Sequence, residues 1–269
     1  MPGVHQRLHR RSRRQTSLPP VSLLIRGDWA KEDMAMYINE NTRRFLRIKF
    51  KTSDDISNLE ELSRLIEEAI TRECSALAEK IEAKKANRSQ DERDYLDGWY
   101  ENDFLQLQEE FPRLQRYALF TTAMATVEAN VVALCYTLKD IMSLTVDYKK
   151  PRTNIVSNSI NYLKEHAKVD MTRISHDIDK MDMFRRIRNC IVHSEGKNTD
   201  PNPEEIRNYC DSIPTLSIDK NNRIILSEGF VSIALHLIRQ FFNSLIEKSK
   251  KALEAQPVNS AGPKGRAAD

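Results

Sequence analysis

Apolar residues recur along most of this chain at spacings of three and four, the period of a helix with one buried face. The clearest stripe is Ile56, Leu59, Leu62, Leu65, Ile66, Ala69, Ile70, Leu77 and Ile81, which follows Ser53-Asp54-Asp55 and predicts a long helix starting there. Before it, Trp29, Met36, Ile38 and Phe45 predict a separate helix over 28–48, with Asp28 as its N-cap. The polar run EAKKANRSQ over 82–90 reads as a solvated connector and marks the best domain boundary. Tyr95, Trp99, Phe104, Leu105 and Leu107 predict a helix over 91–110, broken near Gly98. Pro112 then suits the first turn of the most apolar segment, which runs to about Ser143. Glu128, Asn130 and several threonines interrupt that segment, so it reads as a core helix rather than a membrane span.

Further on, Pro151 opens a helix with Ile155, Val156, Ile160 and Leu163 as its face. Another begins around Asp170 and stops at Gly196. A loop, KNTDPNPEE, leads to a short helix near 203–212. Asp219-Lys220-Asn221-Asn222 between two apolar runs predicts a small β-hairpin. Val231, Leu235, Ile238, Phe242, Leu245 and Ile246 lie on a last amphipathic helix from about Phe230 to Leu253. The pattern predicts an all-α helical bundle with one minor hairpin. Its parts are a basic flexible arm (1–27), a helical extension (28–88), the main helical domain (89–254) and a flexible tail (255–269).

Composition narrows the classes. Seven glycines among 269 residues cannot supply the turns of a large β-sandwich, or those of a doubly wound sheet with a phosphate loop. The net charge of +3 is uneven: Arg7, Arg10, Arg11, Arg13, Arg14 and Arg26 fall in residues 1–27 without any acid, which leaves residues 28–269 at −3. Whole-chain charge is therefore no argument for nucleic-acid binding. The arm reads as a disordered tail, with an RNA-contacting arm and a targeting peptide as the alternatives. Cys74, Cys135, Cys190 and Cys210 have no C-x-x-C spacing, which predicts free thiols and a reducing, cytoplasmic setting.

Phosphate-loop, dinucleotide, nucleophile-elbow and zinc-protease motifs are missing. His5, His9, His166, His176 and His236 stand isolated, whereas His193 lies in MFRRIRNCIVHSEG. Asn189 and His193 are four apart and share a helix face. Arg188 lies roughly 140° from His193 around an ideal helix. The three converge only if the helix ends near Val192 and His193 swings inward. Phe184, Ile187 and Ile191 supply the buried stripe.

The R-N-x-x-x-H run of Arg188, Asn189 and His193 resembles the R-x4-6-H signature of the HEPN superfamily (higher eukaryotes and prokaryotes nucleotide-binding domains). His193-Ser194-Glu195-Gly196 is similar to the small-residue ending of that motif, and Glu128 in TTAMATVEANVVAL looks like the acid that the family carries on an upstream apolar helix. The resemblance covers roughly residues 91–250.

It implies a metal-independent, cofactor-free endoribonuclease that cuts single-stranded RNA at a composite homodimer site. RNA supplies its own nucleophile, the 2′-hydroxyl. Histidine, with an ordinary pKa near ~6.5, suits the base or the acid role. Arginine suits the non-bridging phosphate oxygens. On this reading Arg188, Asn189 and His193 are catalytic, with Glu128 and Glu195 as candidate supporting residues. The family habit implies a toxin or antiviral defence effector in the cytoplasm, with RNA, a second copy and an inhibitor or antitoxin protein as partners and no membrane. The alternative is a non-catalytic module binding RNA, nucleotide or a protein partner. In that case Arg188 pairs with an acid such as Asp182 or Glu195, and His193 favours the helix dipole.

Overall fold

The computed structural model describes residues 40–255. The basic arm, the first part of the helix expected over 28–48 and tail residues 256–269 lie outside the described residues. Within them the chain is an all-α bundle with one small hairpin.

Helix α1 spans Glu40–Lys85 without interruption. The separate start expected after Ser53-Asp54-Asp55 does not occur. Phe45, Thr52, Ile56 and Ser63 share one buried face across that point, and the polar triplet sits largely on the other side. An ion pair from Lys51 to Asp55, one turn apart at 2.6 Å, bridges the junction. Through Phe45 and Ile56, α1 belongs to the same hydrophobic core as the later helices.

A capping box starts α2 (Gln90–Leu105): the Ser89 side chain accepts from the Glu92 backbone and the Glu92 carboxylate accepts from the Ser89 backbone. The helix passes through Gly98 unbroken, at a cost of about 1 kcal/mol relative to alanine. A π-helical turn, Gln106–Glu110, joins it to α3 (Phe111–Ile141) in one rod of 52 residues. Pro112 accounts for the widened turn. It has no N–H to give, and its ring would strike the Gln108 carbonyl of a regular helix. Phe111 donates instead to the Gln106 carbonyl, five residues back.

The core is built on α3, which buries Phe120, Met124, Val127, Val131, Leu134, Cys135 and Leu138. One 18-residue window of the rod has a mean hydropathy of 1.5, long and apolar enough to cross a membrane by length and composition. In this fold 56% of that window is buried.

Helix α4 (Ile155–Glu165) starts four residues after Pro151, because Asn154 adopts a left-handed conformation (φ 48°) that interrupts the run. Helix α5 (Ser175–Ser194) likewise starts after Asp170. That carboxylate instead closes a turn, accepting from the Thr172 N–H at 3.0 Å and the Thr172 hydroxyl at 2.6 Å. At the far end of α5, Glu195 (φ 52°) and Gly196 (φ 84°) are both left-handed, and the Gly196 N–H closes on the Cys190 carbonyl at 3.0 Å. A Cβ at Gly196 would run into the Tyr117 hydroxyl of α3.

The rest follows the sequence pattern closely: α6 (Pro203–Asp211), antiparallel strands β1 (Leu216–Ile218) and β2 (Ile224–Leu226), and α7 (Phe230–Glu254). Asp219 sets the hairpin turn by accepting from the Asn221 and Arg223 N–H groups, each at 2.8 Å. Phe120, Phe184 and Phe230 meet edge to face, with centroids 5.4–6.2 Å apart, and lock α3, α5 and α7 together. Phe184 thereby anchors α5 one turn before Arg188.

Candidate functional site

On α5 the buried stripe runs through Phe184, Ile187 and Ile191, which leaves Arg188 at the edge of the core, facing α3. There it meets Glu128. Arg188 Nη2 donates to Glu128 Oε1 at 2.6 Å, and both side chains are about one-fifth exposed (21% and 19%). Arg188 Nη1 donates to Asn189 Oδ1 at 3.1 Å. The guanidinium can only donate, so it fixes the amide of Asn189: Oδ1 is held by Arg188, and Nδ2 is a donor without a partner among the described residues.

Asn189 and His193 line one cleft of about 580 Å³, as their spacing on α5 leads one to expect. The helix continues to Ser194, so the inward swing of His193 does not take place. His193 is exposed and makes no hydrogen bond or ion pair among the described residues. Arg188 is not among the residues lining the cleft. The three motif residues therefore do not converge directly; Asn189 is the link, held by Arg188 and facing the space that His193 faces. Glu195, exposed in its left-handed cap, lies outside that lining. Asp182 pairs with Arg185 at 2.8 Å. Neither Asp182 nor Glu195 is the partner of Arg188.

The opposite wall of the cleft rests on Arg186, whose role the sequence did not reveal. Its Nε and Nη2 fork onto Asp200 at 3.0 and 2.6 Å, and its Nη1 reaches Glu205 at 2.6 Å. The Arg186 hydrogen bonds hold the Asp200 carboxyl below the usual carboxylate range, helped by the Asn202 N–H at 2.8 Å. In turn the two carboxylates raise the Arg186 guanidinium, with Asp200 the larger cause. This clasp fastens the 195–203 loop to α5 and shapes the cleft. The only sequence signal for it is the acidic loop that follows the arginine run.

Along the exposed side of α3 runs an uncharged strip of Leu114, Ala118, Thr122, Ala125 and Ala129. Thr122, Ala125 and Ala129 also line a groove of about 480 Å³ bordered by Leu59 and Leu62 of α1. Among the described residues no three His, Cys, Asp or Glu side chains are grouped to hold a metal ion. Comparison of the chain with family models, with curated proteins and with solved structures finds no match.

Proposed function

We propose that this protein is a metal-independent endoribonuclease of the HEPN type, cutting single-stranded RNA at a composite site of a homodimer. The observation that carries the reading is the shared cleft of Asn189 and His193, with Asn189 held by an Arg188 that is itself tied to Glu128. His193, exposed and without a partner among the described residues, is placed for proton transfer with RNA. Transesterification needs a base for the 2′-hydroxyl, which attacks phosphorus, and an acid for the departing 5′-oxygen. The Asn189 Nδ2 donor suits a ribose or phosphate oxygen, and Arg188, behind it, holds that amide in place. One chain offers one such histidine. A second copy related by a two-fold axis offers the other, and the uncharged strip on α3 is a surface suited to that contact. A growth-restricting toxin or antiviral effector, opposed by an inhibitor protein, is the biological role this chemistry would serve.

One observation favours the second reading, a non-catalytic module that binds RNA, nucleotide or a protein. Arg185, Arg186 and Arg188 are each matched by a carboxylate, so the cleft offers a phosphate no uncompensated arginine. The deciding experiment incubates the purified full chain with single-stranded RNA in excess EDTA. The enzyme reading expects cleavage that Arg188→Ala and His193→Ala abolish with helicity intact. Binding without cleavage favours the module.

A further inference from the structure

The cations inside the cleft are neutralised, whereas those beside its mouth are not. Asn154 lines the cleft, and the segment leading to it carries Lys149, Lys150 and Arg152, all exposed. Among the described residues none of the three makes an ion pair or a hydrogen bond. No acidic residue lies between Tyr148 and Lys164. The nearest acid before the segment, Asp147, is matched by Lys139 at 3.1 Å. The acids that line the cleft, Asp182 and Asp200, are matched by Arg185 and Arg186.

This segment is fastened at both ends. Tyr148 is buried, shares a 2.7 Å hydrogen bond with the Ser159 hydroxyl and packs edge to face between Tyr136 and Tyr162 at 5.0 and 4.9 Å. The Tyr162 hydroxyl donates to the Val146 carbonyl at 2.8 Å, and Asn158 Nδ2 donates to the Thr153 carbonyl at 2.9 Å. Three cations without a partner among the described residues thus sit on one short segment held at both ends, and little backbone ordering is left to offset the gain on binding.

We propose that the 149–154 segment is a phosphate-binding track that leads a single RNA strand into the cleft, gripping the backbone beside the nucleotide that Asn189 and His193 hold. This rests on the endoribonuclease reading for the identity of the strand. The contacts are to phosphates, so the track adds affinity without sequence preference. Laid out fully, residues 149–154 reach at most ~20 Å, enough for contacts to more than one phosphate.

The test uses the full chain carrying His193→Ala, so that RNA stays intact, and measures binding of a fluorescent single-stranded uridine oligomer across a salt series. Adding Lys149→Gln, Lys150→Gln and Arg152→Gln, which leave Tyr148 and Pro151 in place, should weaken binding most at low salt. Three lost contacts should flatten the slope of log affinity against log salt by about 2. Lys220→Gln in the exposed hairpin turn serves as the control and should leave the slope unchanged. In the otherwise wild-type chain, the triple change should raise KM for a long RNA several-fold. An unaltered slope and affinity, or no binding by the parent protein, overturns the track. A loop-dependent slope in a protein that never cleaves RNA keeps the track and overturns the endoribonuclease reading instead. Cleavage that ignores the triple change does the reverse.

Discussion

Glu128 and Arg188, sixty positions apart, meet at 2.6 Å across the α3–α5 interface. Arg188 uses a second nitrogen to hold Asn189, so the pair connects the core to the cleft. The pair is neither open to water nor sealed from it. Removing one partner should therefore cost more than a surface bridge and less than a fully buried one.

Glu128→Ala should lower the unfolding free energy by about 1–2 kcal/mol. Glu128→Ala combined with Arg188→Ala should cost less than the sum of the two single changes, since each already removes the shared contact. Urea denaturation of the four proteins gives the coupling. Strict additivity would mean that the pair contributes nothing as a pair.

Asn189→Asp tests the fixed amide. A carboxylate keeps an acceptor for Arg188 and replaces the Nδ2 donor with an acceptor facing the cleft. RNA cleavage should drop sharply while thermal stability changes little. Activity equal to wild type would mean that the Asn189 donor is not used.

The Arg186–Asp200 clasp predicts a pH signature. The Asp200 carboxyl is depressed in the folded protein, so its contribution to stability is present above the ordinary carboxylate pKa, near ~3.9, and is lost as pH falls below it. Wild type should melt above Asp200→Asn at neutral pH, and the gap should narrow as the solution is taken below about pH 4. Melting curves across that range check it; a gap that is constant in pH would assign the stabilisation to something other than the ionised carboxylate.

Gly196→Ala should destabilise by more than about 1 kcal/mol, because φ is 84° and the new methyl group meets the Tyr117 hydroxyl. Tyr117→Phe removes the oxygen in the way, though it also loses a hydrogen bond to the Ile224 carbonyl. The penalty for Gly196→Ala should be smaller in the Tyr117→Phe background, measured by thermal unfolding.

Much of the fold was legible in the sequence because it depends on short-range periodicity. Apolar content marked α3, apolar spacing marked α7, and Asp219–Asn222 marked the hairpin. The helix boundaries were harder. Ser53-Asp54-Asp55 reads as a cap, yet the face carrying Thr52 and Ile56 stays buried and the helix runs on. Pro112 reads as a start, yet a π turn absorbs it. Pro151 reads as a start, yet the left-handed Asn154 delays the helix. In the candidate site, the common face of Asn189 and His193 followed from their spacing. Family resemblance singled out Glu128 and Arg188 separately but not their contact, since no local pattern links residues on different helices. The hold of Arg186 on Asp200 and Glu205 depends on how a loop folds back, which no local pattern in the chain encodes.

The end chemistry of the RNA products tests the central claim most directly. Full-length protein incubated with single-stranded RNA in excess EDTA should yield fragments ending in a 2′,3′-cyclic phosphate or 3′-phosphate, with 5′-hydroxyl partners, by mass spectrometry. The matching DNA, which lacks the 2′-hydroxyl, should stay whole, and His193→Ala should give no fragments. Products carrying 5′-phosphates, cleavage that requires a divalent metal, or unchanged cleavage by His193→Ala would contradict the account.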